Sequence, residues 1–321
     1  EDTAGGKMQA ELASVHETAT VEETIEEVRR KAHEIDNISN VFVVDREGRF
    51  SGAVPLDKLI LAYPETPIIS ITNRDTLTVR TDMDQEEVAK LFQKYDLISV
   101  PVVDHDGKLV GRITVDDIVD VLEEEIFEDF FKLAGLNIES RALDPAGRTI
   151  RMRIPWLLLN LGTAVLASSV VKLFEDTIAQ LVVLAVLMPI VAGMGGNSAT
   201  QTITVVVRAL ALGELNSKNA RWVLMKEALV GLTNGFLTGV VAGLAAYLLG
   251  AKAVVGLILA LAMVANMIIA GLIGSLIPLV LKRFKIDPAI ASSIFVTTAT
   301  DICGFFTFLG LAALFMKMGF L

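Results

Sequence analysis

The strongest chemical signal in the sequence is a single acid inside an apolar stretch. Asp301 follows Thr297, Thr298 and Thr300 in a segment rich in apolar residues. An ionised carboxylate in the middle of a membrane span costs several kcal/mol. No Lys or Arg lies within the core of any predicted span, so the sequence offers Asp301 no ion-pair partner. We expect Asp301 and Thr297 to face water and a cation, the alternative being a protonated acid that hydrogen-bonds to a neighbour.

A second polar segment interrupts another apolar stretch. It begins at Pro189 and contains Gly195, Gly196, Asn197 and Gln201. Proline removes a backbone donor, and glycines allow a helix to kink or break. Free backbone carbonyls at membrane depth are tolerated only inside protein or along a water-filled cavity. The segment is either a kinked helix with satisfied polar contacts or the lining of a pore, and we favour the pore lining.

Acidic residues dominate the stretch that precedes the apolar half. They are Asp116, Asp117, Asp120, Glu123, Glu124, Glu125, Glu128 and Asp129. Helical spacing places several of them on one face, where like charges at i, i+4 destabilise a helix by a few tenths of a kcal/mol per pair. Only Lys132 is close enough in sequence to offset them. The run is either a solvated acidic face or a strip that packs against a partner by binding divalent cations.

The composition separates the chain into two halves. Residues 1–140 contain 31 acidic and 14 basic side chains, whereas residues 141–321 contain 7 and 14 and are rich in Leu, Val, Ile, Ala and Gly. This division predicts a soluble domain joined to a membrane domain. The chain begins at Glu1 without a signal peptide, and we expect it to be a fragment of a longer protein.

Cysteine and histidine usage limits the metals that the chain could bind. Cys303 is the one cysteine, so no intramolecular disulfide is possible, and all three histidines lie in the soluble half. Without clustered His or Cys, a zinc, copper or haem site is not expected. Any metal would be a hard cation held by oxygen.

Five stretches are long and apolar enough to span a membrane, for which about 20 residues are needed. The predicted spans are 154–174, 178–206, 222–249, 252–281 and 289–316. Nine basic residues lie on the side of the soluble half and three on the other. The positive-inside rule then places the soluble half in the cytoplasm and the C-terminus outside the cell membrane. The third span also carries a glycine every four residues from Gly231 to Gly243, which we interpret as static helix packing.

The soluble half contains an internal repeat with an offset of 59 residues. The stretch from Val41 to Gly52 aligns with that from Val100 to Gly111. Each copy predicts a helix, a strand, a tight turn with Asp and Gly, a second strand and a second helix. This pattern resembles the cystathionine-β-synthase (CBS) pair, a regulatory module that often binds adenosine compounds.

The resemblance to the CBS pair also implies where a nucleotide would bind. In such copies a Thr or Ser stands three residues before an Asp that contacts ribose, and Thr114 and Asp117 match this pattern in the second copy. The first copy has Pro55 and Lys58 at those positions. We therefore expect ATP binding to be weak or absent, with Thr114 and Asp117 as the candidate site.

The whole chain resembles the MgtE family of Mg²⁺ channels. The motifs that carry the resemblance are Glu1–Gly6, the segment from Pro189 to Gln201, and Asp287-Pro288-Ala289 leading to Thr300-Asp301. The resemblance implies a homodimer with a pore on its two-fold axis, lined by the second and fifth spans, with Asp301 as its selectivity acid. It also implies regulatory Mg²⁺ ligands at Asp84, Glu86, Asp96, Asp117, Asp120, Glu125, Glu128, Asp129 and Asp287.

The expected fold class is a multi-domain membrane protein. An α/β CBS pair over residues 15–120 is followed by an acidic connecting helix and linker over 121–150 and an all-α domain of five transmembrane helices over 151–321, with residues 1–14 left from a further N-terminal domain. The expected function is Mg²⁺ conduction gated by cytoplasmic Mg²⁺, with membrane lipid and a second copy of the chain as partners and no nucleic acid. The alternatives are a proton-coupled secondary transporter in which Asp301 titrates, a membrane enzyme and a non-conducting sensor; we expect no enzyme activity.

Overall fold

A computed structural model describes residues 2–35, 37–216, 218–291 and 293–321. The chain divides into two units, of which the first ends at Ile126 and the second runs from Phe127 to Leu321. The helices that lie or begin in the first unit are α1 (Ala4–Lys7), α2 (Val21–Lys31), α3 (Leu56–Leu61), α4 (Ile68–Ile71), α5 (Gln85–Tyr95) and α6 (Val115–Leu133). The strands are β1 (Ser14–His16), β2 (Asn40–Val44), β3 (Phe50–Pro55), β4 (Val79–Arg80), β5 (Ser99–Val103) and β6 (Leu109–Thr114).

The sequence repeat is visible as two three-stranded sheets of the same topology. In the sheets β1-β2-β3 and β4-β5-β6, the first two strands are parallel and the last two antiparallel. The register shifts between Val43 and Val44 in one sheet and between Val102 and Val103 in the other. The predicted order of helix, strand, turn, strand and helix is confirmed, and each copy adds a parallel strand, β1 or β4, that the sequence did not predict.

The turn between the antiparallel strands is built identically in both copies. Asp45 Oδ1 accepts the backbone N–H groups of residues 47 and 49 at 2.8 Å, and Asp104 Oδ1 accepts those of residues 106 and 108 at 2.9 and 2.8 Å. Gly48 and Gly107 have φ of 79° and 78°, a conformation that favours glycine. The aspartate and glycine at fixed positions therefore set the hairpin in each copy.

Each sheet packs against the helices of its own copy. The first core includes the buried residues Val21, Val41, Val54, Leu59 and Ile68. The second core includes Val79, Val88, Val100, Ile113 and Ile118. Each structural copy of the first unit therefore has an apolar core of its own.

The second unit is helical apart from its loops in the described ranges. Its helices after the end of α6 are α7 (Ala146–Lys172), α8 (Glu175–Gln180), α9 (Val183–Ala211), α10 (Ala220–Leu248), α11 (Ala253–Arg283) and α12 (Ser293–Lys317), with a 3₁₀ turn at Pro288–Ala291. By length and composition α7, α9, α10, α11 and α12 could each cross a membrane. Their order agrees with the five predicted spans.

The starts of three predicted spans differ from the helix starts by four or more residues. α7 starts at Ala146, eight residues before the predicted residue 154, because a helix can extend beyond the hydrocarbon layer. The predicted span from residue 178 is interrupted, since Leu181 leaves the helical region with φ −138° and ψ 77° and separates α8 from α9. The predicted start at residue 289 lies in the 3₁₀ turn, before α12.

The glycine stripe of α10 packs directly against α11. A Cβ atom built on Gly231 would lie 2.5 Å from the Met267 carbonyl oxygen, and one on Gly243 would lie 2.6 Å from the Gly256 carbonyl oxygen. Because these neighbours are backbone atoms, they cannot move aside as a flexible side chain can. The stripe is therefore a close helix-packing surface, as the packing interpretation predicts.

Candidate functional site

One face of α9 is polar and exposed in a single chain. Gly193, Asn197, Thr200, Gln201 and Thr204 are exposed, and their spacing of three to four residues places them along one side of the helix. The hydroxyls of Thr200 and Thr204 donate to backbone carbonyls one turn earlier, at 2.9 and 2.8 Å. Within the described part of the chain, the side chains of Asn197 and Gln201 have no hydrogen-bond partner. Lipid offers none either, so this face needs water or another protein surface.

The predicted acid of α12, Asp301, directly follows the threonine run of the same helix. Asp301 is partly buried, and no basic side chain or hydrogen-bond donor pairs with it among the described residues. Thr300 is fully buried and donates to the Thr297 carbonyl at 2.9 Å. A Cβ atom built on Gly196 would lie 3.6 Å from Thr297 Cγ2. The structure therefore brings the glycine-rich turn of α9 next to the threonine run of α12, as their common assignment to one site requires.

Sequence reasoning missed two buried polar residues of the membrane unit. Asn266 on α11 is 1% exposed and donates through Nδ2 to the Val191 carbonyl at 3.0 Å. Glu227 on α10 is 7% exposed, accepts a hydrogen bond from Thr202 Oγ1 at 3.2 Å and pairs with Lys226 at 2.8 Å. The signal was available, since both are polar residues in apolar spans, but the sequence does not reveal which face of a helix is buried.

Near α5 the predicted Mg²⁺ ligands already serve local roles. Asp84 caps α5 by accepting the Glu86 N–H at 2.8 Å, and Glu86 pairs with Lys90 at 2.7 Å. Between them in sequence, Gln85 donates to Glu125 at 2.6 Å, so α5 and α6 meet at this point. Asp96 lies at the opposite end of α5, with φ 50°.

The acidic face of α6 has more basic partners than its sequence neighbourhood suggests. Lys7 of the first unit pairs with Glu124 at 2.5 Å. Lys132 remains the one basic residue near the acidic run in sequence, and Lys7, 117 residues from Glu124, supplies a second cation through tertiary contact. Asp120 is exposed, and Glu125 and Asp129 both take part in interactions.

Lys132 joins two predicted ligands in the second unit. Its ammonium group pairs with Glu128 one turn earlier and with Asp287 at 2.5 Å. Burial pulls the pKa of Lys132 down, but the hydrogen bonds that its ammonium group donates to Asp287 and Glu128 outweigh burial and raise that pKa above its ordinary value. Asp287 also accepts the Ala289 N–H at 2.8 Å. The two carboxylates are thus brought together around a cation that the chain itself provides.

The candidate nucleotide residues are engaged within the first unit. Asp117 Oδ2 accepts both the N–H and the hydroxyl of Thr114, at 2.8 and 2.7 Å, and Gln9 Nε2 donates to Asp117 Oδ1 at 3.0 Å. An open cavity of about 430 Å³ lies beside the first copy instead. Its lining residues are Asn40, Ala53, Pro55, Asn73, Asp75, Thr76, Leu77, Tyr95 and Leu97.

No group of three or more His, Cys, Asp or Glu side chains close enough to hold a metal ion occurs among the described residues. The nine regulatory ligands predicted from the resemblance therefore do not form one cluster. They lie at the two ends of α5, along α6 and at the turn before α12. Any divalent cation at these positions would need water or a second chain to complete its coordination.

Comparison with known proteins identifies the family. The MgtE family of divalent cation transporters matches residues 188–311, and the CBS domain matches residues 6–65 and 68–124. The chain is 37% identical over 319 residues to the magnesium transporter MgtE of Thermus thermophilus, covering 99% of this chain and 71% of that protein. The chain belongs to the MgtE family of magnesium transporters. The MgtE transporter of Enterococcus faecalis is 32% identical over 317 residues, which cover 99% of this chain and 70% of that protein.

Membership of the MgtE family confirms several predictions. The fold class, a CBS pair followed by five membrane-spanning helices, is correct. The protein is a membrane transporter of divalent cations and not an enzyme, and Mg²⁺ is the transported substrate of its relatives. A crystal structure of the cytosolic domain of the Mg²⁺ channel MgtE in complex with ATP is 48% identical, covers 38% of this chain and 49% of that chain, and has a TM-score of 0.37. The complex with ATP is a property of that protein, and the expectation of weak or absent ATP binding in this chain stays a prediction.

Proposed function

We propose that the chain forms a homodimer that conducts Mg²⁺ through a pore on its two-fold axis, lined by α9 and α12. The observation that carries the proposal is the exposed polar face of α9 beside the unpaired Asp301 of α12. A membrane protein exposes such a face only to water or to protein. A second copy placed against it encloses a polar passage.

The two-fold axis supplies the charge that a divalent cation requires. One Asp301 per chain is a weak site for Mg²⁺, but two copies across an axis give a charge of −2 without any further residue. Mg²⁺ gives up water reluctantly and is commonly bound by one or two carboxylates together with waters. The amide oxygens of Asn197 and Gln201 on the exposed face of α9 are suited to hold the outer waters of the hydrated ion, whereas Gly195 is buried.

Cytoplasmic Mg²⁺ is proposed to favour the closed state. The supporting feature is the density of carboxylates along α6, of which Asp117, Asp120 and Glu125 belong to the first unit and Glu128 and Asp129 to the second. Removing Mg²⁺ lets these like charges separate.

The soluble N-terminal half is proposed to lie in the cytoplasm and the C-terminus outside the cell membrane, as the excess of basic residues indicates.

An adenine nucleotide is proposed to bind in the cavity beside the first copy rather than at Thr114 and Asp117. Gln9 already occupies the Asp117 carboxylate, whereas the cavity is open and has Tyr95, which is 47% exposed, for stacking with a base. Calorimetry with ATP tests this assignment. Tyr95→Ala should abolish ATP binding and Thr114→Val should leave it unchanged; the reverse result would return the site to Thr114.

Flux through the purified protein in liposomes tests the pore. Asp301→Asn keeps the size of the side chain and removes its charge, so Mg²⁺ flux should fall by at least about tenfold. Folding should survive, because an amide is easier to bury than a carboxylate. The same change at the exposed Asp176 of α8 is the control and should leave flux intact. Wild-type flux in the Asp301→Asn protein would remove Asp301 from the pathway.

The same assay separates a pore from the proton-coupled alternative. A carrier in which Asp301 titrates needs a proton gradient, whereas a pore follows the Mg²⁺ gradient and the voltage. Mg²⁺ flux should persist when the proton gradient is collapsed at constant voltage. Loss of flux under that condition would overturn the channel proposal in favour of the coupled carrier.

A further inference from the structure

Asn266 lies between the two helices that carry the proposed pore. A Cβ atom built on Gly195 of α9 would lie 2.2 Å from Asn266 Nδ2, and one built on Gly304 of α12 would lie 2.7 Å from the same atom. The amide of Asn266 therefore fills space that any side chain at either glycine would need. At this level α9, α11 and α12 meet through one side chain.

The hydrogen bonding of Asn266 does not resemble that of a simple space-filling residue. Its Nδ2 donates to the Val191 carbonyl at 3.0 Å, while its Oδ1 is buried with no partner in the described part of the chain. A buried acceptor without a partner is unfavourable. Leucine would fill a similar volume without that penalty. The amide must therefore contribute something that an apolar side chain cannot.

Asn266 contacts the turns of α9 and α12 that carry the proposed pore residues. The Val191 carbonyl is the regular helical acceptor for the N–H of Gly195, so the amide reinforces the turn that leads into Gly196 and Asn197. Gly304 follows Asp301 by three residues, which places both within one turn of α12. A shift of the amide would move both polar segments at once.

We propose that Asn266 is a positioning residue for ion transport, whose amide fixes the spacing between the glycine-rich turn of α9 and the turn of α12 that carries Asp301. This inference rests on the proposed pore. Discrimination between Mg²⁺ and the larger Ca²⁺ depends on cavity size and ligand placement. Loss of the amide should therefore alter the preference between the two ions and not only the amount of folded protein.

The test compares Mg²⁺ and Ca²⁺ flux in liposomes for the unaltered chain and its Asn266→Ala and Asn266→Leu variants. The Mg²⁺:Ca²⁺ flux ratio should change by roughly threefold or more in both, within the range of couplings seen for residues in contact. Asn266→Leu retains the volume and so keeps the test valid should Asn266→Ala fold poorly. The control is Ser275→Ala, a fully buried position on α11 whose hydroxyl, among the described residues, bonds only to the Gly271 carbonyl of its own helix; its flux ratio should not change.

A second-site variant adds a readout that is specific to this contact. Gly195→Ala alone should impair folding, since its methyl group overlaps the amide, and adding Asn266→Ala should restore it. An unchanged flux ratio in Asn266→Leu, or no rescue of Gly195→Ala, would overturn the positioning role. Asp301→Asn in the same assay separates the two ideas. If it retains flux, the pore proposal fails; if it abolishes flux while the Asn266 variants keep the ratio, only the positioning inference fails.

Discussion

In the α10–α11 pair, the glycines of α10 bring its backbone against the backbone of α11, whereas in α9 and α12 Gly195, Gly196 and Gly304 lie beside polar side chains. A Cβ atom built on Gly239 would lie 2.8 Å from the Ala260 carbonyl oxygen, whereas one built on Gly193 of α9 would meet no atom within 4 Å. The same residue type therefore has two uses in one membrane unit. In the first pair glycine permits close packing, and in the second it leaves room around a polar face.

The largest effect should come from filling the tight pair. Gly239→Val places new atoms against the backbone of α11, and overpacking of this kind costs about 1–3 kcal/mol or more because the carbonyl cannot move aside. We expect a large loss of monodisperse protein in size-exclusion chromatography and a lower melting temperature. Gly193→Val is the matched change in open space and should keep the fold. Equal stability of the two variants would mean that the close contact between α10 and α11 is not formed.

The next effect concerns the polar face of α9 and should appear in flux rather than in stability. Asn197→Leu and Gln201→Leu remove oxygens that the proposed pore offers to the hydrated ion, so Mg²⁺ flux should fall by about tenfold. Melting temperatures should remain close to that of the wild type, because neither side chain has a hydrogen-bond partner among the described residues. Val205→Leu, a change at an exposed apolar position of the same helix, should not affect flux. Full flux in both polar variants would contradict the pore.

The sequence predicted the fold well because its signals are local. The Asp and Gly of each hairpin act over a few residues and each apolar run is continuous in sequence, while the repeat is found by comparing two such local patterns. It also predicts Asp301 as a candidate site residue, since a lone acid in a span is unusual whatever its neighbours are.

What the sequence could not predict depends on long-range packing. Lys7 reaches Glu124 across more than a hundred residues, and Gln9 reaches Asp117 in the same way. The sequence shows that Asn266 is a polar residue in an apolar span. Only the packed helices show that it lies against Gly195 and Gly304. Side chains that meet through tertiary contact leave no spacing pattern in a single sequence.

A smaller effect, on stability, is expected where α9 contacts α10 of the tight α10–α11 pair. Thr202 of α9 donates to the buried Glu227 of α10, so Thr202→Val leaves that carboxylate without the bond and should lower stability by about 1 kcal/mol. Glu227→Gln retains an acceptor and should be closer to the wild type. Thermal unfolding in detergent measures both, and flux should change little. A large loss of flux with unchanged stability would instead place Glu227 in the transport pathway.

The smallest effect is predicted at Lys132, where the chain supplies its own cation. Lys132→Gln leaves Glu128 and Asp287 without the ammonium group that pairs with both, so these carboxylates should attract Mg²⁺ more strongly. Inhibition of flux by cytoplasmic Mg²⁺ should shift to concentrations lower by about two- to fivefold, as expected for roughly 0.5–1 kcal/mol per partly exposed pair. Arg30→Gln, which breaks the pair with Glu27 on the surface of α2, is the control and should not shift inhibition.

The pH dependence of wild-type inhibition gives an independent check of the Lys132 bridge. The pKa of Lys132 is raised on folding, so the pairing of Lys132 with Glu128 and Asp287 stabilises the folded protein. This stabilisation is fully present below the ordinary lysine pKa and is lost only as pH rises through the raised pKa. Between about pH 6 and about pH 9 the bridge should therefore stay charged and contribute no pH dependence of its own. If Lys132→Gln removed a pH dependence of inhibition within that range, the lysine would titrate there and could not be the permanent cation between Glu128 and Asp287. An unshifted Mg²⁺ response in Lys132→Gln would show that these two carboxylates take no part in gating, leaving the acidic face of α6 in the first unit as the remaining candidate.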